Sequence, residues 1–408
     1  MLERLRMRFA TRHRHIIELG LIVLLWQAST GVFLLSLVQQ YLPQQLQADA
    51  AFPGYALAIY AGARFLLQAP AGWLADRWGR QRTLTLGIAV SLPSVYLMLQ
   101  VQDPTLFLAF SALYGAGSAA IWPAIMAYVG DTQEPSMRGR TLSMLNFAQL
   151  IGLGAGTMAG VTLTDFISYQ AAFAACLMFS ACALIFAFRG ARADVRMPRI
   201  ISSQRASAAD MRRRLLSSRI LLLAGIALLL SVATTVQVPV VGQYSHDVLR
   251  TKMSILGLMI LAPAVVGGYL AIRFRHVADR FGRQLPLIAG LATAACCYYA
   301  LSVTSHPLIA VNLIVLAGLA YAISIPAWGA AALDATELGS RGLVLGVLAT
   351  VQGFGGALGQ AAGGLTNAAW GPVAPFRMGA ILLGVALVLT IMQLHQQRRD
   401  EAARLVAA

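Results

Sequence analysis

Two short loops hold most of the chemistry-bearing residues that recur in this sequence. One reads Gly72-Trp73-Leu74-Ala75-Asp76-Arg77-Trp78-Gly79-Arg80-Gln81-Arg82, the other Ala278-Asp279-Arg280-Phe281-Gly282-Arg283-Gln284. A carboxylate with arginines close behind it can form ion pairs or meet a helix N-terminus, and such contacts favour one conformation over another. The intervening glycine permits a turn that a bulkier residue would strain. Further acid–arginine elements follow: Asp131, Glu134 and Arg138, then Asp334, Glu337 and Arg341. Asp76, Arg80, Asp131, Glu134 and Arg138 are expected to interlock as one set of ion pairs, with Asp279, Arg283, Asp334, Glu337 and Arg341 as its mirror. This is holding and releasing chemistry. There is no GxxxxGK[ST], HExxH, GxSxG or CxxC, and the six histidines are scattered, so no catalytic residue, metal or cofactor is expected and the chain is not read as an enzyme.

The elements that position these loops are apolar. The chain has 408 residues, of which 58% are hydrophobic and 12% charged, about half the charge of an ordinary soluble domain. About twelve apolar runs of about 20 residues follow one another, each long enough to cross roughly 30 Å of hydrocarbon as a helix. The approximate spans are 16–43, 53–74, 83–101, 105–130, 140–163, 168–188, 219–242, 253–274, 284–303, 307–330, 342–366 and 374–395. This pattern excludes a soluble enzyme, a disordered chain, a coiled coil and a disulfide scaffold. It also excludes an outer-membrane barrel, whose strands alternate in polarity over about 10 residues. Cys176, Cys182, Cys296 and Cys297 all fall in apolar runs, where a thiol packs as a small hydrophobe. The first run is too long for a signal-peptide core and is read as a retained helix.

Net charge is +15, which in a soluble protein would suggest nucleic acid. The positions of the charges argue otherwise. With both termini inside, 27 of the 31 basic residues fall in cytoplasmic segments, leaving Arg250, Lys252 and Arg377 outside and Arg64 within a span. The expected location is therefore the cell (inner) membrane, multi-pass, with both termini cytoplasmic and no nucleic-acid partner.

The chain is also a duplication. A shift of 203 residues aligns Asp76, Arg77, Gly79 and Arg80 with Asp279, Arg280, Gly282 and Arg283, and Asp131, Glu134 and Arg138 with Asp334, Glu337 and Arg341. It also pairs Gly87 with Gly290 and Gly152, Gly156 and Gly160 with Gly355, Gly359 and Gly363. Matches in glycine and charge, rather than in alanine and leucine, are unlike chance in so biased a composition. The expected organisation is an N-terminal six-helix half over 1–188, a cytoplasmic linker over 189–218 and a C-terminal six-helix half over 219–408. The glycines spaced by four on spans five and eleven form small faces that let helix backbones approach.

On these residues the sequence resembles the major facilitator superfamily. The first loop matches that family's G-x-L-A-D-R-x-G-R-K/R element, with Gln81 in place of its last basic residue and Arg82 immediately after. The resemblance, which covers essentially the whole chain, implies an all-α integral membrane fold of 12 transmembrane helices in two pseudo-symmetric halves. It implies alternating access around a midplane site, and makes Gly72, Asp76, Arg77, Gly79 and Arg80 parts of an inner latch, the Asp meeting the eleventh helix in the outward-facing state. Acidic-x6-Arg elements of sugar-porter relatives place Asp131 and Arg138 in the same network. Two departures count against proton-coupled export. Span five has no proline among Gly154, Ala155, Gly156 and Thr157, where antiporters carry a Gly-Pro signature. Span four reads Ser111-Ala112-Leu113-Tyr114-Gly115-Ala116-Gly117, without the arginine of proton-coupled relatives.

Within the spans, Arg64 is the charge that most needs a reason. It lies twelve residues before Asp76, about 18 Å along a helix, hence close to midplane. Two readings stand: recognition of an anionic or polar substrate group, or bonding to carbonyls and amides such as Gln27 or Gln68. Position 267, its repeat counterpart, is Gly, which argues against a pair of arginines clamping a small inorganic anion. Glu18 is a shallow carboxylate and a weak site for a coupling proton, and Asp131 is the alternative. Further substrate or coupling residues are Gln27, Tyr114, Trp122, Asn146 and Gln149 in the first half and Gln237, Tyr321, Trp328 and Gln352 in the second. An aromatic and amide inventory with few charges suits an amphipathic organic substrate. The leading expectation is export of such a small molecule in exchange for protons, by a monomer in the lipid bilayer. The alternatives are uptake of a small metabolite or organic anion, and a lipid-handling or sensor protein that keeps the fold without solute turnover.

Overall fold

In the computed structural model the described residues are 2–191, 218–259, 284–334 and 341–407. They contain helices and no strand. In chain order the helices are α1 Leu2–Val32, α2 Phe52–Trp78, α3 Arg80–Gln100, α4 Pro104–Ala119, α5 Ile121–Thr132, α6 Pro135–Phe166 and α7 Tyr169–Ala191. They continue with α8 Ser218–Thr235, α9 Gln284–Leu301, α10 Pro307–Asp334, α11 Arg341–Trp370 and α12 Ala374–Ala407. The chain divides into two compact units, Met1–Ile201 and Ser202–Ala408. Among the described residues seven helices are long and apolar enough to cross a membrane. α2 and α11 are long enough but less apolar: α2 carries Arg64 and Gln68, and α11 is rich in glycine and carries Gln352 and Gln360.

Local chemistry sets the helix ends. α2 and α3 are joined by one residue, Gly79, at φ +108°, a conformation that a side chain would strain. α4 starts at Pro104, where a missing N–H costs nothing, and the Asp103 side chain accepts from the Thr105 amide at 2.8 Å. The fourth expected span, 105–130, is two helices broken at Ala120. Pro123 cannot donate to the carbonyl four residues back, and the Ala120 amide turns instead to Gly117 at 3.3 Å. α1 runs on as a π-helix over Phe33–Tyr41, and α8 runs on through a 3-10 turn at Val238–Val240 to a π-helix at Tyr244–Val248.

The packing repeats between units. α1 lies on α6 and α7, and α3 on α4 and α7; likewise α8 lies on α11 and α12, and α9 on α10 and α12. Glycines make the tightest of these contacts. A β-carbon at Gly152 or Gly156 would collide with the carbonyl oxygens of Leu24 or Ala28 on α1. At Gly359 and Gly363 it would strike Thr235, Val232 and Val236 at the end of α8. Without hydrophobic driving force in lipid, such close backbone contact is a main source of helix association.

Candidate functional site

The latch residues of the N-terminal unit meet at the ends of α2, α3 and α5. Arg80 opens α3 and binds two carboxylates: Asp76, one turn back on α2, and Asp131 on α5, the latter at 2.9 Å from Nε to Oδ2. The guanidinium is mostly buried while both carboxylates are nearly half exposed, so the cluster sits at a solvent boundary. Arg138 does not join these acids as expected. Its Nη2 donates to the Gly130 carbonyl at 2.7 Å and its Nε to Gln133 at 3.1 Å, because the chain reverses between α5 and α6 and leaves carbonyls at the end of α5 within its reach. Glu134 is the residue before α6, and Arg77 stacks over the exposed Trp73 ring at 5.3 Å. Gly72 is uncrowded, with Pro123 the nearest side chain to a β-carbon there at 3.9 Å. Of the mirror set, Asp279, Arg280, Gly282, Arg283 and Glu337 lie outside the described residues. Asp334 ends α10 and Arg341 begins α11, with their side chains also outside.

The substrate-facing residues expected in the first half are not gathered in one place. Tyr114 is fully buried in the unit's own core, a correction to its expected place in a cavity wall. Its ring meets Trp26 at 5.4 Å, Phe33 at 4.6 Å and Tyr60 at 5.8 Å between centroids. Its hydroxyl lies 3.3 Å from Ser29 Oγ, which in turn lies 2.6 Å from Ser180 Oγ. A buried phenol needs such partners, and α1, α4 and α7 supply them. Gln27, Trp122, Gln149 and Glu18 are half-buried, and Asn146 is exposed on α6.

In the second half three of the four expected residues border one space, and Gln237 does not. A cavity of about 260 Å³ is walled by α8 to α12 of the C-terminal unit, and Tyr321, Trp328 and Gln352 all line it. The space is a partly open concavity and not an enclosed void: Tyr321 in its wall is 50% exposed. Its wall is mainly apolar, with hydroxyls from Tyr298, Tyr321, Ser231, Thr234 and Ser324 and no charged residue among the described ones. Behind it, Gln237 donates to the Tyr298 hydroxyl at 2.6 Å and to the Thr234 carbonyl at 2.8 Å. The Ser231 hydroxyl donates to the Gln352 carbonyl at 2.5 Å and ties α8 to α11. Tyr298 and Ser324 were not legible as site residues from polarity alone. The repeat offset held a signal, since the counterpart of Tyr114 is Ala317, which lines the cavity. Such an arrangement can hold an uncharged, largely apolar body and donate or accept a few hydrogen bonds; among the described residues of its wall there is no nucleophile activated by a base.

Comparison with known proteins agrees with this architecture. The sequence model of the Major Facilitator Superfamily matches residues 19–277 and 256–405. Among curated relatives, the proton-coupled antiporter flippase LtaA of Staphylococcus saprophyticus is 24% identical over 357 residues, covering 86% of this chain and 87% of that protein. The protein of the same name from Staphylococcus haemolyticus is 23% identical over 383 residues, covering 90% and 93%. Among solved structures, the nucleoside transporter NupG superposes with a TM-score of 0.74 at 15% identity, over 93% of this chain and 98% of that one. A bacterial homolog of the human lysosomal transporter Spinster, inward-facing and unoccupied, gives 0.69 at 15% identity, over 94% and 95%.

Proposed function

The chain belongs to the major facilitator superfamily, and from that premise we propose that it is a secondary transporter that exports an amphipathic, lipid-like organic molecule across the cell membrane in exchange for protons. The cavity of the C-terminal unit carries this reading. An apolar wall with a few hydroxyls favours the uncharged body of an amphiphile over a sugar or an inorganic ion, either of which would leave apolar surface against polar groups. Relatives named as proton-coupled antiporter flippases support both the coupling and the amphipathic class. The Arg80 cluster supports alternating access. Two carboxylates sharing one guanidinium at a solvent boundary form a contact that protonation or a rearrangement of α2 against α5 would release. The bias of basic residues toward alternate loops supports cytoplasmic termini.

The test uses purified protein in proteoliposomes under an imposed pH gradient. It follows the inner-to-outer transfer of fluorescent amphiphiles by their accessibility to an impermeant quencher, with proton movement recorded in parallel. Transfer that depends on the gradient, and that falls about tenfold in Ala317→Tyr, where the new ring fills the cavity as Tyr114 fills the other unit, is the expected outcome. Transfer unaffected by the gradient would end the proton-coupling assignment, and full activity in Ala317→Tyr would end the assignment of the cavity.

A further inference from the structure

The hydroxyl groups in the wall of the C-terminal cavity differ in where their single protons go. Ser231 donates to the Gln352 carbonyl at 2.5 Å, Thr234 to the Leu230 carbonyl at 2.8 Å and Ser324 to the Ala320 carbonyl at 2.8 Å. A hydroxyl has one proton, so these three have only lone pairs left to offer a ligand. Tyr298 is the reverse case. Its oxygen accepts from Gln237 Nε2 at 2.6 Å, and the same nitrogen lies 2.8 Å from the Thr234 carbonyl, which can only accept. That carbonyl fixes the orientation of the amide, so Gln237 is the donor and the Tyr298 proton points away from it. An O–H group whose oxygen already accepts a hydrogen bond is polarised into a stronger donor.

The helix packing itself does not call for this pair. Val236 and Val32 hold matching places in the two glycine seams, so Gln237 corresponds to Phe33, and the offset of 203 residues makes Tyr298 the counterpart of Val95. Phe33 and Val95 are both fully buried. The N-terminal unit thus fills these places with two apolar residues, whereas the C-terminal unit puts an oriented donor into a mainly apolar wall, beside Leu287, Leu291 and Ala294 of the same helix. A donor in such a wall costs free energy until something accepts from it.

We propose that Tyr298, held by Gln237, is the hydrogen-bond donor that recognises the carbonyl oxygen of an acyl linkage, ester or amide, in the transported amphiphile. This rests on the transport reading above and narrows its substrate class from amphiphiles in general to acylated ones. Tyr298 makes the contact, and Gln237 is a positioning residue that holds and polarises the hydroxyl.

The experiment compares dodecanoyl glycerol with dodecyl glycerol ether, which has the same head group and chain length but a methylene in place of the carbonyl. Purified protein is held in nanodiscs of ether-linked phosphatidylcholine, which brings no carbonyl of its own, and binding is followed by tryptophan fluorescence, Trp328 being part of the wall. Transfer of fluorescent analogues of both probes is measured in proteoliposomes under a pH gradient. The wild type is expected to half-saturate with the ester at about fivefold lower concentration than with the ether. Tyr298→Phe abolishes that preference and leaves binding of the ether unchanged, and Gln237→Leu reduces the preference to about twofold. The infrared carbonyl band of an isotope-labelled ester, when bound, is expected at lower frequency in the wild type than in Tyr298→Phe. The proposal is overturned if the wild type shows no preference, if Tyr298→Phe keeps it, or if Tyr298→Phe weakens both probes equally, the signature of a structural role. If Tyr298→Phe does not fold, Gln237→Leu decides: an unchanged ratio of the two probes overturns the proposal. Transfer of the ether analogue by the wild type in any of these cases leaves the transport reading standing. Failure of the wild type to transfer either analogue would instead bring down that reading, and the acyl-group proposal with it.

Discussion

At the repeat position where the N-terminal unit places Tyr114, the C-terminal unit places Ala317, and the consequences run through both bundles. Tyr114 is packed among Trp26, Phe33 and Tyr60 and is wholly buried, so the first bundle is filled at its centre. Ala317 borders a cavity of about 260 Å³, with Leu230 on α8 another part of the wall. The glycine seams show that Leu24, Ala28 and Val32 on α1 correspond to Leu228, Val232 and Val236, which makes Leu230 the counterpart of Trp26. The backbone scaffold is therefore shared, while side-chain volume at a few positions decides whether a bundle is a solid support or a container. A duplicated fold can divide labour in this way without altering its helix packing.

That contrast can be broken first by its largest expected effect. Tyr114→Ala should destabilise the protein by about 3–5 kcal/mol in denaturant titrations in micelles, because it empties a closed aromatic core. Tyr321→Ala, at a site 50% exposed beside the cavity, should cost under about 1 kcal/mol. Equal losses would mean that the two bundles are not filled differently. Next come the seams. Gly156→Ala and Gly363→Ala should each cost about 1–3 kcal/mol by forcing backbones apart, whereas Gly154→Ala, with open space around it, should be neutral or stabilising through helix propensity. Similar values at Gly154 and Gly156 would remove the seam from the account. A sharper variant of the comparison is Leu230→Trp, which installs the first unit's aromatic in the second. It should leave the unfolding free energy within about 1 kcal/mol of wild type, since the ring enters existing space, while amphiphile transfer falls severalfold. The smallest effect is expected at the latch. Arg80→Gln should change stability by about 0.5 kcal/mol only, as the carboxylates it holds are nearly half exposed and screened, and its consequence should appear instead in the distribution of conformers measured by spin-label distances.

Much of this was legible in the sequence where a residue type admits one physical use. Gly79 had to make a tight turn, and Gly152, Gly156 and Gly160 had to face a neighbouring backbone, because the absence of a side chain is itself the information. Asp76, Arg80 and Asp131 could be brought together in advance, since opposite charges flanking short loops have few other partners. The position of Tyr114 was not legible. An aromatic in an apolar run reads alike whether it faces lipid, core or cavity, and only the size of its repeat counterpart separates these cases. Arg138 misled for a related reason: charge alone suggested an acidic partner, whereas the reversal between α5 and α6 offered unsatisfied carbonyls nearer by. The break at Ala120 was signalled by Pro123 but overridden by the continuous apolarity of the run.

The glycine seams have a further consequence for inheritance. Every missense change in a glycine codon introduces a β-carbon, so at Gly152, Gly156, Gly359 and Gly363 no amino-acid change escapes the collision, whatever its polarity or charge. Such positions cannot drift through conservative intermediates. Descendants of this gene should keep them unchanged or replace them together with the residues opposite on α1 and α8, so the seams should record the history of the duplication more faithfully than the cavity wall does.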